Sequence, residues 1–112
     1  MKKQKSKVIN GKLEFLLEDE THTLRRSKGN GILKRQIWCD DKGKVTRYSL
    51  AYINHNLHPR DNGRVLGFDN SHGYHHRHKM GKVDAVNFKS FAEIEERFKR
   101  EFEVIHASLK KK

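Results

Sequence analysis

Along the chain, apolar positions alternate with polar ones in short runs until residue 89 and then change period. The pattern VINGKLEFLLE (8–18) sets Asn10 and Gly11 between two apolar runs, and an Asn-Gly pair there predicts a hairpin, because both residues accept positive φ. Asp19 to Gly31 is polar and ends in Gly29, Asn30 and Gly31, which reads as a loop. Ile32 to Cys39 returns to strand composition, and DDKGK (40–44) is a turn. In VTRYSLAYI (45–53), Tyr48, Leu50 and Tyr52 alternate with Arg47, Ser49 and Ala51, the signature of a half-buried strand. NHNLHPRDNG (54–63) is a turn, and RVLGF (64–68) is a strand that pairs back on 45–53. VDAVNF (83–88) is a further candidate strand.

Beyond Lys89 the period becomes helical. Ser90 and Glu93 make a capping box, and Phe91, Ile94, Phe98, Phe102, Ile105 and Leu109 follow at intervals of three, four, four, three and four residues, one stripe of a helix. The three closing lysines suit the negative end of its dipole. These elements predict an α+β fold: a meander-like antiparallel sheet of four to five strands with one long C-terminal helix packed on one face. The 112 residues form a single domain, 1–112, with 1–6 as a basic, flexible tail. Trp38, Tyr48 and Tyr52 are expected in the sheet core rather than as stacking platforms.

Charge alters this picture most. Twenty-five Lys and Arg against fourteen Asp and Glu give a net charge of +11, a field that attracts polyanions and makes RNA or DNA the leading partner class. Cys39 is the single cysteine, so neither an internal disulfide nor a thiolate cluster is expected, consistent with a reducing cytoplasm. Lys12, Glu14 and Glu18 interrupt the apolar run a signal peptide needs, and nothing approaches a membrane span. The protein is expected to be cytoplasmic.

The candidate chemistry lies in FDNSHGYHHRHK (68–79), where His72, His75, His76 and His78 fall within seven residues. His76 and His78 are two apart, so on an extended segment both rings share a face. Two uses compete with a solvated histidine-rich turn. One is a divalent metal such as zinc, held by His72, His76 and His78 or with Asp69. The other needs no cofactor: RNA cleavage by its own 2′-hydroxyl, with His76 and His78 moving protons, His72 and Asp69 orienting or substituting for them, and Arg77 and Lys79 on phosphate oxygens. Arg47 and Arg64 extend the expected nucleic-acid contact. Asp69 and Asn70 also suit a turn after a strand.

TRYSLAYI (46–53), RVLGFDNSHGYHHRH (64–78) and FKSFAEIEERF (88–98) together resemble the TumE family, toxins of prokaryotic toxin–antitoxin pairs. The likeness runs from about Val45 to Leu109, and its most specific part is the order Asp69-Asn70, His72-Gly73, His76-Arg77-His78. It implies a cytoplasmic toxin neutralised by a partner antitoxin of helix-turn-helix type. Combined with the residue chemistry, the expectation is a metal-independent endoribonuclease. The alternative is a non-catalytic nucleic-acid-binding module whose histidines are structural or hold a metal.

Overall fold

A computed structural model describes residues 6–9, 12–25 and 31–109, with backbone alone for 7–9, 12 and 72. Seven strands form one sheet in chain order, β1 (Ser6–Ile9), β2 (Lys12–Thr23), β3 (Ile32–Cys39), β4 (Val45–Ile53), β5 (Arg64–Asp69), β6 (His76–Lys79) and β7 (Lys82–Ala85), followed by helix α1 (Phe91–Leu109). Every pairing is antiparallel. The α+β class and the meander agree with the sequence pattern, and the sheet is wider than the four to five strands expected.

The additional strand β6 and the greater length of β2 come from segments without apolar alternation. Ile9 pairs with Lys12, though the Asn10–Gly11 turn itself lies outside the described residues, as do 1–5, most of the expected tail. Asp19–Thr23, expected in a loop, continues β2 because its charges find partners across the ladder. Asp19 faces Gln36 and Glu20 faces Arg35, Gln36 donates to Asp19 at 3.2 Å, and Arg35 pairs with Glu18 and Glu20. Such cross-strand pairs sustain a polar strand that composition alone disfavours. β6 arises likewise from HRHK, with Arg77 opposite and paired to Asp84, and the strand expected over 83–88 is β7, which runs over Lys82–Ala85.

One face of the sheet holds the core. Tyr48, Leu50, Tyr52, Leu66 and Phe68 interlock with Ile94, and Phe91, Phe98, Phe102 and Ile105 of the helical stripe pack against them. Phe102 meets Tyr52 edge-on at 4.9 Å. Ser90 Oγ accepts from the Glu93 amide at 3.1 Å and starts the helix. Arg35 fastens α1 to the sheet through Glu95, at 2.9 and 3.0 Å, a two-pronged pair that holds the guanidinium's proton above its ordinary affinity.

Candidate functional site on the helix-free sheet face

Strand alternation distributes the candidate residues before any side-chain contact is considered. Leu50 faces Phe68 and Ser49 faces Asp69, so Asp69 points away from α1. His76 stands opposite Asp69, and His78 opposite Gly67; these rings share Asp69's face. Arg77 and Lys79, opposite Phe68 and Leu66, go to the helix side. A one-residue slip in the β4–β5 ladder, between Tyr52 and Ile53, adds a bulge residue. Val65 therefore turns into the core, and Arg64 takes Asp69's face. A bulge re-aims side chains in this way.

On that face the groups converge. His76 Nε2 lies 3.0 Å from Asp69 Oδ1, and His78 Nε2 lies 3.5 Å from Asp69 Oδ2. The imidazole centroids are 4.8 Å apart. His76 Nδ1 is 3.1 Å from the Tyr74 carbonyl. Arg64 Nη1 approaches Asp69 Oδ2 at 3.6 Å, while Nε and Nη2 grip both oxygens of Asp61 at 3.0 and 3.2 Å. Asp61 Oδ2 is in turn 3.8 Å from His78 Nδ1. Asp69 and His76 are buried, at 7% and 2% exposure, and His78 is partly exposed.

The backbone explains why Asp69 is held so firmly. Ser71 donates to Asp69 Oδ1 from its amide at 3.0 Å and its hydroxyl at 2.6 Å. Asn70 prolongs the β4 ladder with its side chain, accepting from the Tyr48 amide and donating to the Thr46 carbonyl, both at 3.0 Å. The turn role expected of Asp69-Asn70 is thus real, and it coexists with Asp69's second contacts to the imidazoles. Gly67 leaves the space Arg64 crosses: a Cβ there would stand 2.8 Å from Arg64 Cδ.

Electrostatics follow from burial and partners. Desolvation, then the Arg64 charge, holds the His78 pKa below 6.5. The hydrogen bond from Arg64 holds the Asp61 carboxyl below its ordinary range. Two hollows flank the group: one of about 280 Å³, lined by Lys34, Gln36, Ser49, Asp61 and Arg64 among others, and one of about 510 Å³, lined by His58, Arg60, Asp61, His78 and Lys82 among others.

The expected phosphate-gripping cations are divided. Arg77 is bound to Glu101 at 2.7 Å and Asp84 at 3.3 Å on the helix side, and Lys79 lines a hollow against Arg97, Arg100, Glu101 and Val104 of α1. Both are turned from the histidine pair by strand alternation. Arg47 shares the helix-free face, stacked over Trp38 at 4.7 Å and 3.4 Å from Glu14. Arg64 is the cation that joins the centre. His72 lies in the 3-10 turn Ser71–Gly73, and its side chain is outside the described residues. His75 sits apart, stacked on Phe88 at 3.9 Å with the Tyr48 hydroxyl 3.0 Å from its Nδ1; burial lowers its pKa and pushes that of Tyr48 up to about 12. Asp61 was hidden in a DNG turn. Its only signal in the sequence is the three-residue spacing to Arg64.

The fold and the site define an α+β protein with an Asp-His-His-Arg centre on an open sheet face. No family model, curated protein or solved structure matches this chain.

Proposed function

We propose that this protein is the toxin of a prokaryotic toxin–antitoxin pair, similar to the TumE family, and that it cleaves RNA at the Asp69–His76–His78–Arg64 centre. The observation carrying this reading is the convergence of two imidazoles, a buried carboxylate and a guanidinium within 3.0 to 3.6 Å on the sheet face that α1 leaves open. Perturbed titratable groups held together in this way cluster at reaction centres. With a net charge of +11, long-range attraction of a polyanion is built in.

The reaction has simple needs. The 2′-oxygen of a ribose attacks the adjacent phosphorus, the bond from phosphorus to the 5′-oxygen breaks, and the products are a 2′,3′-cyclic phosphate and a 5′-hydroxyl. One proton leaves the 2′-oxygen and one reaches the 5′-oxygen. One imidazole of the His76–His78 pair takes the first, directly or through a water that it holds, the other, protonated, delivers the second to the departing 5′-oxygen, and Arg64 stabilises charge on the phosphate. An adjacent helix-turn-helix antitoxin is the proposed partner and the cytoplasm the proposed compartment. Among the described residues no helix is long and apolar enough to cross a membrane.

The test is growth arrest on expression. Wild type is expected to arrest growth, and the His76→Ala, His78→Ala double variant, shown soluble and folded by circular dichroism, is expected not to. Arrest that persists in the folded double variant overturns the catalytic assignment. RNA that is bound with steep salt dependence and left uncut identifies instead a non-catalytic nucleic-acid-binding module.

A further inference from the structure

We propose that Asp69, His76 and His78 form a site for one divalent transition-metal cation of the zinc type, bound through a carboxylate oxygen and the Nε2 atoms of both imidazoles. This rests on the reading of the same group as the reaction centre, and it replaces the cofactor-free chemistry expected from the sequence.

The argument is one of donors and acceptors. A neutral imidazole carries one N–H and one lone pair. His76 Nδ1 faces the Tyr74 carbonyl at 3.1 Å, an atom that only accepts, so the hydrogen sits on Nδ1. The Nε2 lone pair then points at Asp69 Oδ1, 3.0 Å away, which also only accepts. Two acceptors at that distance require something positive between them. His78 repeats the arrangement: Nε2 lies 3.5 Å from Asp69 Oδ2 and Nδ1 lies 3.8 Å from Asp61 Oδ2, distances too long for a shared hydrogen bond.

The positive object is a second proton or a metal ion, and three features favour the metal. The Asp69, His76 and His78 donor atoms lie within 4.8 Å of one another. A tetrahedral ion with bonds of about 2.0–2.2 Å spaces its ligands by roughly 3.3–3.6 Å, so modest side-chain movement closes the shell. The His76 imidazole is also backed at Nδ1 by the Tyr74 carbonyl at 3.1 Å, and the Asp61 carboxylate lies on the Nδ1 side of His78 at 3.8 Å. For His76 such backing fixes which nitrogen is left to ligate. Finally, two carboxylates, Asp61 and Asp69, surround one guanidinium, Arg64; with neutral imidazoles the inner group carries one net negative charge inside a strongly basic protein. A donor set of two nitrogens and one oxygen suits zinc, cobalt or manganese better than magnesium. Three protein ligands leave a position for water or a phosphate oxygen, and on this assignment proton transfer passes to the bound water.

The test uses the full chain without an affinity tag, stripped by chelator and titrated with Zn²⁺ and Co²⁺ by calorimetry and visible absorption. One site per chain is expected, with the visible bands of low-coordinate cobalt. In His78→Asn, a partly exposed position chosen to preserve folding, affinity is expected to fall by about 100-fold or more. His75→Asn, on the other face, should bind as wild type does. Absence of saturable binding, or binding indifferent to His78→Asn and His76→Asn, overturns the proposal. If stripped protein cuts RNA at the full rate while Asp69→Asn does not, the metal assignment fails and the functional reading stands. If metal binds at these residues and RNA is never cut, the reverse holds.

Discussion

Asp69→Asn is expected to lower RNA cleavage by about 10²–10⁴-fold, the range over which a positioned proton-transfer or charge-stabilising group acts, while the protein still folds. Asp69 touches both imidazoles and Arg64. Asparagine keeps the shape and a carbonyl oxygen for the Ser71 amide and hydroxyl, so the turn survives. It loses the charge that draws the three cationic or metal-binding groups together, and its amide nitrogen occupies one imidazole lone pair. The stability cost is about 1–3 kcal/mol, that of an altered buried polar contact, seen as a moderate fall in Tm. Cleavage within a few-fold of wild type would remove Asp69 from the reaction.

Phe68→Ala is expected to have the largest effect on stability, about 3–5 kcal/mol. Its ring is fully buried, meets Phe98 edge-on at 6.3 Å and lies under the Arg97 guanidinium at 5.4 Å. Against a total of about 5–15 kcal/mol for a domain of this kind, that loss leaves a marginal protein. Tm should drop by more than about 10 °C. Phe68→Leu, which retains most of the volume, should cost less than about 1.5 kcal/mol. Because Phe68 points to α1 while its neighbour Asp69 points away, the fraction that remains folded should cut RNA at the wild-type rate. A folded Phe68→Leu with no activity would mean that the two faces are not separate in function.

The separation of faces also explains what the sequence disclosed. The helix was legible because its six apolar residues keep one period and Ser90 marks its start. β4 and β5 were legible because Tyr48, Leu50 and Tyr52 alternate with polar residues and RVLGF follows a turn. β2 beyond Glu18 was not, since its pairing depends on Arg35 and Gln36 of another strand, and β6 was not, since HRHK has no apolar alternation even though its partner β7 follows at once, with Lys79 opposite Lys82. The shared face of His76 and His78 followed from their spacing of two. The same rule, applied one residue further, sends Arg77 to the helix, but this required HRHK to be a strand, and nothing apolar marks it as one. Arg64 reached the site through a bulge at Val65, which no local pattern announces. Asp61 became part of the centre only when Arg64 folded back across Gly67.

The central claim is that RNA meets the protein on the sheet face opposite α1, at the imidazole–carboxylate group. The direct measurement is the NMR spectrum of the histidine ring protons during titration with a deoxyribose oligonucleotide, which lacks the attacking hydroxyl and stays intact. The account predicts that the His78 signals, with those of His58 across the shared hollow, shift with saturation at one bound strand, while His22 and His106, on the helix side, stay in place. Shifts confined to His22 and His106, with the His78 ring unmoved, would contradict it.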